Sequence, residues 1–543
     1  MKILRTYICV LLALILAASC EPEPVYDWYG PGYGEDDSKT DRIPVSEKRN
    51  VLLLYSVGFN SLSNYLEDDI EDVKGGWLPS ASRNADVMLL YSHLVAQDYA
   101  TPNPPVLCRL YKTPDGKVVT DTLVVYDKDT RSASAEQLND VLTYVNETFP
   151  AKSYGMVFSS HATGYLPAGY YSSPTDYTFD WDLSYRSGRR DSSPKPVPYV
   201  EPWRDPELPA VKSIGQDLVG PYGNRVSYEI ELPEFAAAIP MHMRYILFDA
   251  CLMGGVEVAY ELKDKCDMVG FSPTEVLSEG FDYSTLTLHL LCEDPDPKAV
   301  CEAYYNQYRD KSGVNQSATI SLVDCSSIDR LAGLCKELFT KYRKGLELIA
   351  PVRVQQYYTY SYHWFYDLES IIYESGKAER YYLENKKTDI ESKIRKAEVN
   401  IMSYANTLQG IEEDLASLVP GTEGYEDSHA ALIEQKEKYQ NMLDQQELEL
   451  EELNKDFSET EENLQYVLLG WDARMAELTE DMNTLRDVLD ECIIYKASTQ
   501  KFLNMFTIWT YSGLSMYLPC DGGPNLDKYY KTLSWNMSTG LVK

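Results

Sequence analysis

The sequence predicts an α/β protein built on a mostly parallel sheet flanked by helices, with an antiparallel helical hairpin in its last third. Three observations carry this. Short continuous apolar runs alternate with amphipathic helical patterns between Val51 and Val323, as expected of strands covered on both faces and joined by crossover helices. Two of those runs finish next to reactive side chains, one at His161 and one at Cys251. From Ile390 onward apolar residues recur in steps of four and three, the period of a coiled coil.

The chain opens with Lys2 and Arg5, an apolar stretch from Tyr7 to Ala17, and the small residues Ala17-Ala18-Ser19 before Cys20. This reads as a signal peptide over residues 1–19, and the processing site resembles a bacterial lipobox. Cys20 would then be lipidated and become the mature N-terminus, against the plainer account of an ordinary cleaved signal with an incidental cysteine. Residues 20–50 are rich in Pro, Gly, Tyr and acid without a period, and read as a flexible tether. No later run is long enough to span a bilayer, so the expectation is a lipid-anchored protein of the bacterial cell envelope, on the outer membrane or the cell surface.

The expected core covers residues 51–350. Val51–Tyr55 is its first strand, and helical patterns follow at 62–73 and 82–95, the second able to include a strand at 87–91. Two apolar runs around Asp115-Gly116 form a hairpin signal, and Leu138, Val141, Leu142 and Val145 mark a helix face. A buried strand, Tyr154–Ser160, leads to His161; a second, Tyr245–Phe248, leads to Asp249-Ala250-Cys251-Leu252-Met253-Gly254 and a helix from Val256. Strands at 268–272 and 318–323 and a helix at 331–342 complete the core.

A cysteine between a strand end and a helix start lies where open α/β sheets bind ligands, and the helix N-terminus favours its thiolate. It needs a base, and the chain has six histidines. His161 ends a strand of the same kind, whereas His242 lies at the wrong end of the Cys251 strand. His93, His289, His363 and His429 sit in strand, helix or turn contexts away from this pattern. Either residue alone reads as core; the matched settings of both point to nucleophile and base.

These motifs carry a resemblance. His161-Ala162-Thr163-Gly164 and Phe248-Asp249-Ala250-Cys251-Leu252-Met253-Gly254 resemble the paired motifs of the clostripain family, caspase-like cysteine peptidases. The likeness runs from Val51 to Asp324 and again through Tyr511–Pro519. It implies a caspase-like fold, with Cys251 as nucleophile, His161 as acid–base, and the backbone N–H groups of Cys251 and Ala162 as the oxyanion site. It also implies that Asp249 lines the P1 pocket and selects Arg or Lys, against the plainer account of a turn-capping residue. Relatives carry Gly directly after the histidine, so a positive φ at Ala162 would strain it by about 1–2 kcal/mol.

Between the two motifs lies an insert, 165–225, rich in Pro, Tyr, Ser and Asp, whose length points to a functional or mobile loop. Arg186, Arg189 and Arg190 within it are candidate autocleavage sites, with an unprocessed basic loop as the competing account. Asp180 and Asp182 offer the oxygen ligands calcium takes, but two alternating carboxylates are equally a solvated loop, and no cofactor is required. No Cys/His spacing suits zinc, so no metal site is expected, and the remaining cysteines read as mostly free thiols.

The C-terminal region, 351–543, contains the hairpin over 383–492. Its first arm, from Ile390 to Leu418, would reach about 42 Å. Pro420-Gly421-Thr422-Glu423-Gly424 breaks the pattern before it resumes at Leu432. The arm reads as an inserted spacer, or as a docking arm for a partner. With 543 residues, 44% hydrophobic, and a net charge of −34, the chain suits a large globular protein and argues against nucleic acid as partner. The expected partners are peptides with a basic P1 residue and, through the lipid, a membrane. The competing function is an inactive scaffold lipoprotein on the same fold.

Overall fold

The structure, a computed structural model, describes residues 46–82, 85–95, 103–171, 197–198, 208–209, 217–219, 226–358 and 364–543. The leader with Cys20, most of the tether, Asp180, Asp182, Arg186, Arg189, Arg190 and His363 lie outside the described residues. Among the described residues no helix is long and apolar enough to cross a membrane.

The chain forms two compact units. The first comprises residues up to 337, 355–369 and 485–543; the second comprises 338–354 and 370–484. The division therefore differs from a boundary at 350, because a late strand returns to the sheet.

The first unit is built on nine strands. In chain order these begin with β1 (Ser46–Gly58), β2 (Val87–Leu94), β3 (Val106–Lys112), β4 (Val118–Val125) and β5 (Ala151–Ser159). Three short strands, β6 (Val197–Pro198), β7 (Asp217–Val219) and β8 (Val226–Tyr228), form a separate small sheet from the insert and the residues just after it. The large sheet continues with β9 (Met243–Asp249), β10 (Cys266–Phe271) and β11 (Thr319–Asp324). After β12 (Tyr366–Asp367) it closes with β13 (Ile493–Ser498), and its order is β13-β11-β10-β9-β5-β1-β2-β3-β4.

The five central strands, from β10 to β2, are parallel, and the outer pairs on each side are antiparallel. Val51–Tyr55, Val87–Tyr91, Met156–Phe158 and Tyr245–Phe248 are all buried, which is why these strands read as continuous apolar runs. The Asp115-Gly116 signal is the β3–β4 hairpin, with Gly116 at φ +83°. The helical pattern at 82–95 is instead strand β2, because Val87–Tyr91 pair with Val51–Tyr55.

The hairpin's first helix runs from Leu368 to Ser417, 50 residues and about 75 Å, longer than the arm expected from Ile390, and all but its first two residues belong to the second unit. Glycines 421 and 424 turn the chain with positive φ into the return helix Tyr425–Leu469, followed by Trp471–Cys492. Ile390, Ala397, Leu408 and Ile411 form the buried seam. Lys386 pairs with Asp456 at 2.6 Å, Asn400 with Gln446 at 2.9 Å and Lys436 with Glu412 at 2.7 Å. Partners descend on one arm as they ascend on the other, so the arms are antiparallel.

Candidate active site

The sheet register sets His161 and Cys251 on neighbouring loops. β5 and β9 are adjacent and parallel, with Phe158 opposite Phe248 and Ser159 opposite Asp249. His161 and Cys251 each follow that last pair by two residues, at the carboxyl edge of the sheet. The two loops also meet further on. Gly164 has φ +62°, and a Cβ there would run into the carbonyl of Leu252. Only glycine fits that approach.

Cys251 is fully buried. Its Sγ accepts a hydrogen bond from the Val276 N–H at 3.0 Å. The Leu252 N–H donates to the Thr274 carbonyl at 2.9 Å and the Gly254 N–H to the Ser272 carbonyl at 2.8 Å. Residues 272–276 therefore form a strap along the cysteine loop. Leu252 has φ +62°, which costs a residue with a side chain about 1–2 kcal/mol. Ala162 is not among the non-glycine residues with positive φ, so the strain lies beside the cysteine and not beside the histidine.

His161 is buried, and its Nε2 lies 3.3 Å from Ser61 Oγ. Ser61 sits just beyond β1, the other neighbour of β5, so three adjacent strand ends converge here. Ala162 and Thr163 line a small cavity of about 50 Å³ with His161 and Met253. The competing histidines lie elsewhere. His242 bonds Asp267 at 2.7 Å in an exposed setting, and buried His93 stacks on Phe59 and bonds Ser132.

A family model described as the clostripain family matches residues 54–184 and 201–539. The chain belongs to the clostripain family. Membership makes it a protein of cysteine-peptidase type. Among solved structures it is similar to an inactive zymogen C11 protease from Parabacteroides distasonis (21% identity, TM-score 0.55, covering 91% of this chain and 99% of that one). It is also similar to a secreted C11 cysteine protease from Bacteroides thetaiotaomicron in complex with an irreversible peptide inhibitor (19% identity, TM-score 0.54, 91% and 99% covered). At these identities the likeness establishes the shared caspase-like fold. No curated protein matches the chain.

Within this clostripain-family fold, Asp249 is wholly buried at the end of β9. Its Oδ2 accepts from the Tyr283 hydroxyl at 2.6 Å and from the Ser159 hydroxyl at 3.4 Å. The following helix, Val256–Leu262, is capped by Gly255. Burial first, then the neighbouring carboxylates of Asp249 and Asp69, push the Tyr283 phenol well above its ordinary range. Asp69 opens onto a cleft of about 670 Å³ that also presents Asp68, Asp72, Glu279 and Asp282. Five carboxylates on one cleft make a strongly negative site close to Asp249.

Three features of the clostripain-family site were not singled out in the sequence. Ser61 was findable, since it ends a strand next to the histidine strand. Glu229 was not, because its role depends on folding. Its carboxylate accepts from the Gly169 N–H at 2.8 Å and the Ser227 hydroxyl at 2.7 Å, joining the two ends of the insert, and burial pushes its pKa up. Glu257 is the third, a buried carboxylate just past the cysteine loop. Among the described residues no group of three or more His, Cys, Asp or Glu could hold a metal ion, and none of the nine described cysteines forms a disulfide.

Proposed function

We propose that the chain is a cysteine endopeptidase that cleaves after Arg or Lys. The observation that carries this reading is the juxtaposition of the His161 and Cys251 loops on adjacent parallel strand ends. The Cys251 thiolate attacks the scissile carbonyl and forms an acyl-enzyme. His161 protonates the leaving amine and then draws a proton from the water that releases the acyl group. The N–H groups of Cys251 and Ala162 steady the oxyanion. Asp249 receives the P1 cation, supported by the acidic cleft beside it, since a buried carboxylate binds guanidinium through charge-assisted bonds.

The full burial of Cys251 under the 272–276 strap supports a latent form that must open before substrate enters. In this reading, cleavage at Arg186, Arg189 or Arg190 relieves that latency. Cys20 anchors the chain to the cell envelope by its lipid, and the helical arm holds a partner. The buried thiol equally favours a second reading, an inactive scaffold on a peptidase fold.

One assay separates them: turnover of fluorogenic Arg, Lys, Asp and Ala peptides by the wild type, Cys251→Ala and His161→Ala. The proposal expects Arg and Lys cleavage by the wild type alone, with each substitution lowering turnover by about 10²–10⁴-fold or more. Turnover that survives in both variants would overturn the assignment, and a silent, folded and processed wild type would favour the scaffold.

A further inference from the structure

The cysteine loop is fastened at its outgoing end to a segment 260 residues away in sequence. The Gly254 carbonyl accepts from the Ser515 N–H at 2.8 Å and from the Ser515 hydroxyl at 3.2 Å. In the first turn of the following helix, Glu257 Oε1 accepts from the Tyr517 N–H at 2.9 Å and the Tyr530 hydroxyl at 2.6 Å. Its other oxygen faces Gly255, where an added Cβ would sit 2.7 Å away.

The same aromatic cluster holds the histidine loop. Tyr165, four residues past His161, packs edge-on against Tyr517 and Tyr530, with ring centres 5.9 and 5.5 Å apart. Tyr517 and Tyr530 lie 4.6 Å from each other, and the Tyr165 hydroxyl donates to the Trp364 carbonyl at 2.5 Å. Glu257 is thus the buried charge at which the cysteine helix, the histidine loop and the C-terminal segment meet.

We propose that Glu257 is a positioning residue for the His161–Cys251 pair, its carboxylate holding the two loops at their working separation through Tyr517, Tyr530 and Tyr165. The inference rests on the peptidase reading. A group that shifts both loops moves nucleophile and base relative to each other, and misplacement on the ångström scale slows chemistry more than binding. The position also makes the geometry sensitive to pH. Burial pushes the Glu257 pKa up to about 7, opposed by the bonds from Tyr530 and Tyr517. The facing groups are the phenols of Tyr165, Tyr517 and Tyr530, with Tyr170 beyond them; burial pushes Tyr165, Tyr517 and Tyr530 well above their ordinary range. Asp527 accepts from the Tyr517 hydroxyl at 2.7 Å and has Lys531 beside it, and Glu261 lies one turn along the same helix. Near neutrality the phenols stay uncharged, and of the two carboxylates touching the cluster it is Glu257 that joins the Tyr517 N–H and the Tyr530 hydroxyl to the cysteine helix.

The test compares full-chain wild type, Glu257→Gln, Tyr530→Phe and, as control, Glu261→Gln. Two quantities are read from pH 5 to 9: kcat and KM on an Arg peptide, and the rate at which iodoacetamide alkylates Cys251, followed by mass spectrometry. The expected result is a fall of about tenfold in kcat for Glu257→Gln with KM unchanged. The acid limb should lose one ionisation in Glu257→Gln. It should move to higher pH in Tyr530→Phe, because the lost bond favoured the charged form. Glu261→Gln should follow the wild type. Superimposable profiles for wild type and Glu257→Gln, or an unmoved limb in Tyr530→Phe, would overturn the proposal. If the processed wild type turns over no peptide, the peptidase reading fails, while the alkylation profiles still decide whether Glu257 sets the state of Cys251.

Discussion

The Val276 N–H points at Cys251 Sγ from 3.0 Å, so the candidate nucleophile is held inside the protein by a backbone strap. Buried as it is, Cys251 can meet a reagent only through a local opening of its surroundings. Cys251 in the uncut wild type should therefore alkylate about 10²-fold more slowly than an open thiol, as expected of a site gated by local opening. Mass spectrometry of the Cys251 peptide after timed iodoacetamide exposure measures this. A rate equal to that of the same cysteine in unfolded protein would show that the strap does not close the site.

Gly164 tests the contact between the two loops. Alanine at this position must adopt φ +62° and drive its Cβ into the Leu252 carbonyl. Gly164→Ala should destabilise the fold by about 1–3 kcal/mol and lower kcat more than that loss alone would explain. Thermal unfolding beside turnover at saturating substrate separates the two effects. Wild-type turnover in this variant would mean that the loops need not approach so closely.

Asp249 tests specificity. Its carboxylate is buried and shares Tyr283 as a neighbour with Asp69 of the acidic cleft. Asp249→Asn should cost Arg and Lys substrates about 2–5 kcal/mol in kcat/KM, since a desolvated cation loses its charged partner. Equal wild-type cleavage of Ala and Arg peptides would instead assign Asp249 a structural role through Ser159 and Tyr283.

Much of this site was legible in the sequence because buried parallel strands leave unbroken apolar runs, and the residues just after them mark the sheet edge. That reasoning placed His161 and Cys251 at matched positions before any contact was known. It failed where meaning depends on distant partners. Glu257 reads as an ordinary first-turn glutamate until Tyr517 and Tyr530 close over it. The condition for strain at Ala162, a positive φ, is not met there but at Leu252, whose φ the residue types around it do not reveal. The run at 87–91 allowed either helix or strand from sequence, and only its pairing with β1 decides for the strand.

The insert supplies a further test. Glu229 joins its ends through Gly169 and Ser227, and the Leu218 N–H donates to the Phe59 carbonyl at 2.9 Å. A cut at Arg186, Arg189 or Arg190 should therefore leave two chains that stay together. The expected outcome is a new N-terminus at residue 187, 190 or 191 in the wild type, an intact Cys251→Ala chain, and co-elution of the cut pieces in native size exclusion. Identical cutting of Cys251→Ala would assign the event to another peptidase.

Glu257 finally predicts how stability responds to pH. Its folded-state pKa is raised by burial to about 7, above the ordinary glutamate value of 4.5. The folded protein thus binds its proton more tightly than the unfolded chain does. The stability this contributes is fully present below about pH 4.5 and is lost as pH rises through about 7. A shift of this size is worth on the order of a few kcal/mol. Wild type should lose that much between pH 5 and 8 relative to Glu257→Gln, which cannot ionise there. Chemical denaturation of both proteins at the two pH values gives the difference directly. A wild-type-to-variant gap that does not change with pH would mean that Glu257 keeps one charge state throughout, and that burial is offset by more than Tyr517 and Tyr530.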